Sequence, residues 1–218
     1  SDTESIFGGI VALNREVDAT IASHMSTYFL EVVIAPSFSG AAMDILTQKK
    51  NIRLIEIKEL NDFTLKEMNF KQVLGGMIYQ DQDVLGEREE EFQFDLMTER
   101  KPTKGEIEDL DFAWKCAKNV ASNGVVLAKD KGTVGIGQGQ VRRSWAVEEA
   151  IERAGEKKAG AVLASDAFFF EDTVEALKEA GIKAVVSPGG SVKDEEVIKL
   201  CNKYDISLLF TGIRHFRH

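Results

Sequence analysis

The sequence holds only two cysteines among 218 residues, Cys116 and Cys201, far apart in the chain. Two isolated cysteines make no disulfide framework and read as buried apolar residues of a reducing compartment. Positive charge is also short. Lys and Arg total 27 against 36 Asp and Glu, a formal net charge of −9. A nucleic-acid binder needs a basic face, so that class is set aside, while a small anion held by a few local arginines is not. No apolar run approaches the roughly 18 residues of a transmembrane helix. The opening "SDTESIFGG" has neither the basic region nor the apolar region of a secretory signal. These absences lead to the expectation of a soluble cytoplasmic protein with no nucleic-acid or membrane partner.

Several catalytic signatures are missing as well. There is no G-x-x-x-x-G-K-[ST] loop and no G-x-G-x-x-G with an acid about 20 residues on. There is no G-x-S-x-G elbow for a serine nucleophile. The three histidines, His24, His215 and His218, have no H-x-E or C-x-x-C partners, so a zinc-dependent deaminase mechanism is not expected.

What is present is a regular alternation, with 44% hydrophobic residues to supply a core for one domain or two small ones. In the C-terminal half, "GVVLAK" (124–129) and "TVGI" (133–136) read as strands joined by "DKG", a hairpin signal. "SWAVEEAIERAG" puts Val147, Ile151 and Ala154 on one helical face. "GAVLAS" is a strand. "DTVEALKEAG" is a helix, with Asp172 as the expected cap, Glu175 three residues on and Gly181 at its end. "IKAVVS", "DEEVIKLCNKYD" and "ISLLFTG" read as strand, helix and strand. In the N-terminal half, "GGIVALN", "EVVIAP" and "NIRLIEI" read as strands, with "VDATIASHMSTYF" and "SGAAMDILTQKK" as helices between them. The order and length of 31–57 match those of 161–187, which indicates a duplicated α/β unit. Residues of about 60–105 are charged and are expected to connect the two. Apolar strands alternating with amphipathic helices imply sheets covered by helices.

Four stretches stand out as candidate sites, each with a plain structural alternative. "TVGIGQGQVRR" (133–143) is either a hairpin exit with glycines for backbone reasons, or an anion-holding turn before a helix N-terminus. "SPGGS" (187–191) offers backbone N–H groups before a helix, or is a tight turn. "SDAFFF" (165–170) leaves a strand's C-terminal edge, where α/β proteins bind ligands; three adjacent phenylalanines cannot all enter one core, so at least one is expected to line a cleft or an interface, with simple packing as the alternative. "TGIRHFRH" is either a frayed end or a docked tail.

Taken together, these stretches resemble the AICAR transformylase part of the AICAR transformylase/IMP cyclohydrolase family. The resemblance rests on "SIFGGIVALNREVD", "EVVIAPSFS", "LGGMIYQDQD", "DLDFAWKCAKNVASNGVVLAKDKGTVGIGQGQVRR", "ASDAFFFEDTVEAL", "VVSPGGSVKDEEVI" and "TGIRHF", in family order across nearly the whole chain. It implies an α/β fold of tandem cytidine-deaminase-like units without zinc: residues 1–100 as the C-terminal part of the first unit plus connector, and 101–218 as the second. It implies formyl transfer from 10-formyltetrahydrofolate to the 5-amino group of the aminoimidazole carboxamide ribotide (AICAR), in sites formed across a homodimer.

Residue by residue, the resemblance implies a carboxamide contact for Asn123. It implies substrate contacts for Gly9, Arg143, Arg214 and Phe216, and folate contacts for Phe168, Phe169, Asp172 and Arg143. His218 approaches the substrate and is the fallback base. A potassium ion near Ser122 and Asp166 is a further implication. The chain departs from the family pattern where Arg142 replaces a serine and where the phenylalanine stretch is one residue shorter. No Lys-His dipeptide occurs in the sequence, whereas the family's catalytic Lys-His pair lies upstream of F-G-G. The resulting expectation is that these 218 residues alone bind but do not turn over. The competing expectation is a homologue that binds a ligand, or pairs with another chain, without catalysis.

Overall fold

The computed structural model describes residues 5–60, 68–83 and 94–215. They form two compact units, residues 2–82 and residues 83–218.

In the first unit, β1 (Gly9–Ala12), α1 (Ala19–Ser26), β2 (Leu30–Ala35), α2 (Gly40–Leu46) and β3 (Arg53–Glu56) make a parallel sheet of order β1-β2-β3. Both helices start at side-chain caps. Asp18 accepts from the Ile21 amide at 2.8 Å and Ser39 from the Ala42 amide at 3.2 Å, which satisfies donors that the first turn leaves unpaired. Val17, Ala22, Met25, Leu30, Val33, Ala35, Ala42 and Leu46 form the core.

The stretch expected as a plain connector is more structured than that. β4 (Met68–Val73) and β5 (Gly76–Asp81) form an antiparallel hairpin. Its turn passes through Gly75, whose φ of +84° is open to glycine at little cost. The charged flanks masked an alternating apolar pattern around "LGG", the hairpin's own signal.

The second unit carries a mixed six-stranded sheet. Its elements are β6 (Asp95–Leu96), α3 (Lys104–Ala117), β7 (Val125–Lys129), β8 (Gly132–Gly137), α4 (Arg143–Ala154), β9 (Val162–Ser165), α5 (Glu171–Ala180), β10 (Ala184–Ser187), α6 (Asp194–Lys203) and β11 (Ser207–Phe210). The sheet order is β6-β11-β10-β9-β7-β8. β9, β10 and β11 run parallel, and β7 is antiparallel to both neighbours. Alternate residues of one strand enter different cores. Val125 and Leu127 pack with α4, α5 and α6, whereas Val126 and Ala128 pack with Leu110, Ala113 and Trp114 of α3. Covering both faces is why these strands read as continuous apolar runs. α3 was not among the helices expected from the sequence.

The hairpin expected at "DKG" is present. Asp130 and Lys131 both take positive φ, 52° and 55°. Neither is glycine, and the turn is held from outside. The Asp109 carboxylate on α3 accepts from the Asp130 amide at 3.0 Å and the Lys131 amide at 2.7 Å.

Asp172 does not cap α5. The helix begins one residue earlier, Phe170 holds the cap position without a side-chain bond, and the Asp172 carboxylate instead accepts from the adjacent Thr173 amide. Glu175 accepts from the Tyr204 hydroxyl at 2.8 Å. Gly181 ends the helix in the left-handed region, as its spacing implied.

Each unit contains a parallel strand pair joined by a helix, β2–α2–β3 in one and β9–α5–β10 in the other, over the two stretches whose order and length match. The units differ beside it. β1 pairs directly with β2, whereas β7 stands between β8 and β9. Among the described residues no helix is long and apolar enough to cross a membrane.

Candidate functional site

The three glycines of "GIGQG" have separate structural tasks. A Cβ on Gly135 would lie 2.1 Å from the Ala150 carbonyl oxygen, and one on Gly137 would lie 1.8 Å from that of Ala146. Both glycines therefore let α4 press against β8. Gly139 sits at φ +67° and donates its amide to the Ala121 carbonyl at 2.8 Å. The glutamines between them close the loop. Gln138 Oε1 accepts from the Ala121 amide at 3.1 Å, and Gln140 Nε2 donates to Glu149 at 3.0 Å. The Gln140 bond, with Arg153 nearby, holds the Glu149 carboxyl below its ordinary range. The backbone reading of this stretch is thus correct for its glycines.

The loop delivers Arg143, the first residue of α4, to the N-terminal end of β7 and the C-terminal end of the antiparallel β9 beside it. Its guanidinium meets the Asp166 carboxylate directly. It also donates to Ser165 Oγ at 3.0 Å, to the Gly124 carbonyl at 3.4 Å and, through its other terminal nitrogen, to Asn123 Oδ1 at 2.8 Å. Asp166 is fully buried. Its second oxygen accepts from the Ser122 hydroxyl at 2.6 Å. A buried carboxylate needs both a counter-charge and hydrogen bonds, and Asp166 has both.

Ser122, Asn123, Arg143 and Asp166, assigned from separate stretches of sequence, are thus one hydrogen-bonded cluster. Ser165 completes it and was not anticipated. Its signal was its place beside Asp166 at the end of a strand. At Asp166, where a potassium ion was expected, one carboxylate oxygen meets the guanidinium and the other accepts from the Ser122 hydroxyl. Asn123 also faces the loop that follows β8. Its amide nitrogen donates to the carbonyls of Gln140 at 2.9 Å and Val141 at 3.2 Å.

The phenylalanines diverge. Phe169 is 3% exposed and belongs to the core with Val174 and Leu177, so its side chain is not placed to meet a folate. Phe168 and Phe170 meet edge to face, centroids 5.6 Å apart, and Phe170 is half exposed. The Arg214 guanidinium stands 5.2 Å over the Phe168 ring and donates to the Gly190 carbonyl at 3.3 Å. Arg142 remains at the surface, 3.9 Å from the Asp172 carboxylate and 5.8 Å over the Trp145 ring.

The amides of "SPGGS" are not free. Gly190 and Ser191 donate to the Asp194 carboxylate at 2.7 and 3.1 Å. The chain's own acid at the start of α6 fills the place an anion would take. The tail is docked as far as it is described: His215 is 1% exposed. Phe216 and His218 lie outside the described residues. Gly9 opens β1 in the first unit, where its amide donates to the Ile6 carbonyl at 2.9 Å. Among the described residues no group of three or more His, Cys, Asp and Glu is placed to hold a metal ion.

Comparison with known proteins settles the family. A family model described as the AICARFT/IMPCHase bienzyme matches residues 1–153. The chain belongs to the AICARFT/IMPCHase bienzyme family. Its whole length is 52% identical to the bifunctional purine biosynthesis protein PurH of Caldicellulosiruptor saccharolyticus, covering 42% of that protein. The PurH proteins of Streptococcus suis and of a Thermoanaerobacter species are 50% and 51% identical, again with 42% of each covered. The chain thus spans about two fifths of the length of these curated relatives. A solved deaminase/reductase from Thermotoga maritima, a diaminohydroxyphosphoribosylaminopyrimidine deaminase, aligns over 50% of this chain and 36% of that one. The two are 19% identical with a TM-score of 0.37. Each contact above is a property of this chain.

Proposed function

We propose that this chain carries part of the transformylase site of a purine-biosynthesis bienzyme, built on tandem deaminase-like units that work without zinc. The reaction is formyl transfer from 10-formyltetrahydrofolate to AICAR, catalysed by a phosphoribosylaminoimidazolecarboxamide formyltransferase. The observation that carries this reading is the convergence of Ser122, Asn123, Arg143 and Asp166 on one strand edge, with Phe168, Phe170 and Arg214 joined to each other.

The chemistry sets clear demands. The attacked amine is conjugated with its ring and carboxamide, so it is a weak nucleophile. A base must take its proton as the tetrahedral intermediate forms, and donors must face the oxyanion. Asn123 and Arg143 hold the 138–143 loop in one shape, and that rigidity supports binding by positioning. The guanidinium of Arg214 stacks on a ring and donates to a carbonyl, which leaves its charge for the ribotide's anionic groups. Phe168 and Phe170 offer aromatic faces to the folate. The base is assigned to the family's Lys-His pair, with His218 in a contact role, and a homodimer is the expected assembly.

Calorimetric titration of the chain with AICAR tests the binding half. Loss of a charge-assisted hydrogen bond in Arg214→Ala should weaken affinity by about tenfold or more. Tetrahydrofolate formation should be absent with these residues alone and appear in a version extended upstream through the Lys-His pair, since general-base loss costs about 10²–10⁴-fold. If neither version binds the ribotide, the reading fails.

A further inference from the structure

Asp83 and His215 are 132 positions apart and meet in the second unit. His215 Nδ1 lies 2.6 Å from Asp83 Oδ2. An ionised carboxylate only accepts, so Nδ1 carries the proton and donates it. The imidazole is 1% exposed, and its ring lies 4.5 Å from that of Trp114 on α3. Its backbone amide donates to the Asp166 carbonyl at 3.1 Å. The side chain is therefore fixed on one side and the main chain on the other.

Both neighbours of this contact belong to the cluster already described. Asp166 holds Arg143 and Ser122 through its carboxylate, and Arg214, the residue before His215, lies over Phe168. A free tail would leave the Asp166 carbonyl without this donor and Arg214 without a fixed direction. We infer that Asp83 and His215 form a buried clamp that positions Arg214 and the Asp166 strand edge. His215 is a positioning residue: it acts through its amide and its neighbour, and Asp83 fixes it. The clamp follows from these contacts alone. Its effect on ligand binding rests on the transformylase reading above.

Hydrogen exchange on the full chain tests the clamp without any ligand. His215→Ala should raise exchange about tenfold both in the tail around 211–215 and in the 164–170 segment, because a lost buried hydrogen bond lowers the local opening energy of what it holds. His215→Phe keeps a ring against Trp114 but has no donor, and should behave like His215→Ala. His215→Asn keeps an N–H near the Nδ1 position and should restore most of the protection in both segments. Asp83→Ala leaves His215 in place, lies at a partly exposed position, and should loosen the same two segments if the histidine variants do not fold. Faster exchange in the tail with 164–170 unchanged would overturn the proposal. So would full protection in His215→Phe, which would make the site one of packing. AICAR affinity should fall with loss of the clamp and recover with His215→Asn. If the wild-type chain binds no AICAR, the transformylase reading fails while the exchange result still decides the clamp.

Discussion

Arg143 has one environment and several partners, and at the residue scale its bond to Asp166 matters most. Asp166 is fully buried, and its arginine is only 12% exposed. Removing one partner of a buried pair leaves an uncompensated charge, at a cost of about 3–5 kcal/mol. Arg143→Ala should therefore lower urea-unfolding stability of the second unit by about that much. Arg142→Ala should change it by less than about 1 kcal/mol, because its partners are exposed and solvent screens the contact. Equal losses in the two variants would mean that the buried pair adds nothing to stability. A pH test belongs to Glu106. Burial pushes its carboxyl upward, but bonds from Arg100 and from the Thr103 amide outweigh that and hold it below its ordinary value of 4.5. A depressed carboxyl stabilises the fold above its unfolded pKa, and that contribution is lost as pH falls through the lower folded value. Glu106→Gln should flatten the stability curve below about pH 4.5 and leave the neutral region less stable.

At the element scale, α3 shows what a sequence reading can overlook. Its start is a full capping box, Thr103 with Glu106, a signal readable in "TKGE". That signal sits inside a charged stretch that reads as linker. The strands and helices of the second half were legible because both faces of the sheet are covered, so their apolar runs are unbroken. The candidate site was legible in part. Arg143, Asp166 and Asn123 announce themselves by motif, yet that Asn123 faces the loop after β8 depends on contacts 17 and 18 residues away. Likewise Asp194 fills the "SPGGS" turn from four residues on, and spacing alone does not separate a filled turn from an open one. The tightest packing makes a direct test. Gly137→Ala would force α4 off β8 and should cost about 1–3 kcal/mol by overpacking. Gly132→Ala, whose added carbon meets only the Lys129 carbonyl at 3.5 Å, should be nearly silent. Urea unfolding of the two variants separates them.

At the scale of the whole molecule, each unit has its own core among the described residues. The first is built from residues 17–46 and the second, in two clusters, from residues between 110 and 209. Compact units with separate cores unfold as separate cooperative steps unless a large apolar interface joins them. Calorimetry should resolve two transitions. Leu46→Ala should lower one and Leu163→Ala the other, each by the roughly 2–5 kcal/mol of a buried leucine truncation. A single transition shifted equally by both would refute independence.

The missing side chains at Gly135 and Gly137 reach further than packing. α4 begins with Arg143, so the height of that helix over β8 also helps set how far Arg143 must reach to Asp166, which follows β9. The glycine pair works as a shim of zero thickness. Any residue added there would lift the helix and withdraw the guanidinium from a carboxylate more than 20 positions away. The influence of these glycines on the Arg143–Asp166 pair thus passes entirely through the angle and height of one helix.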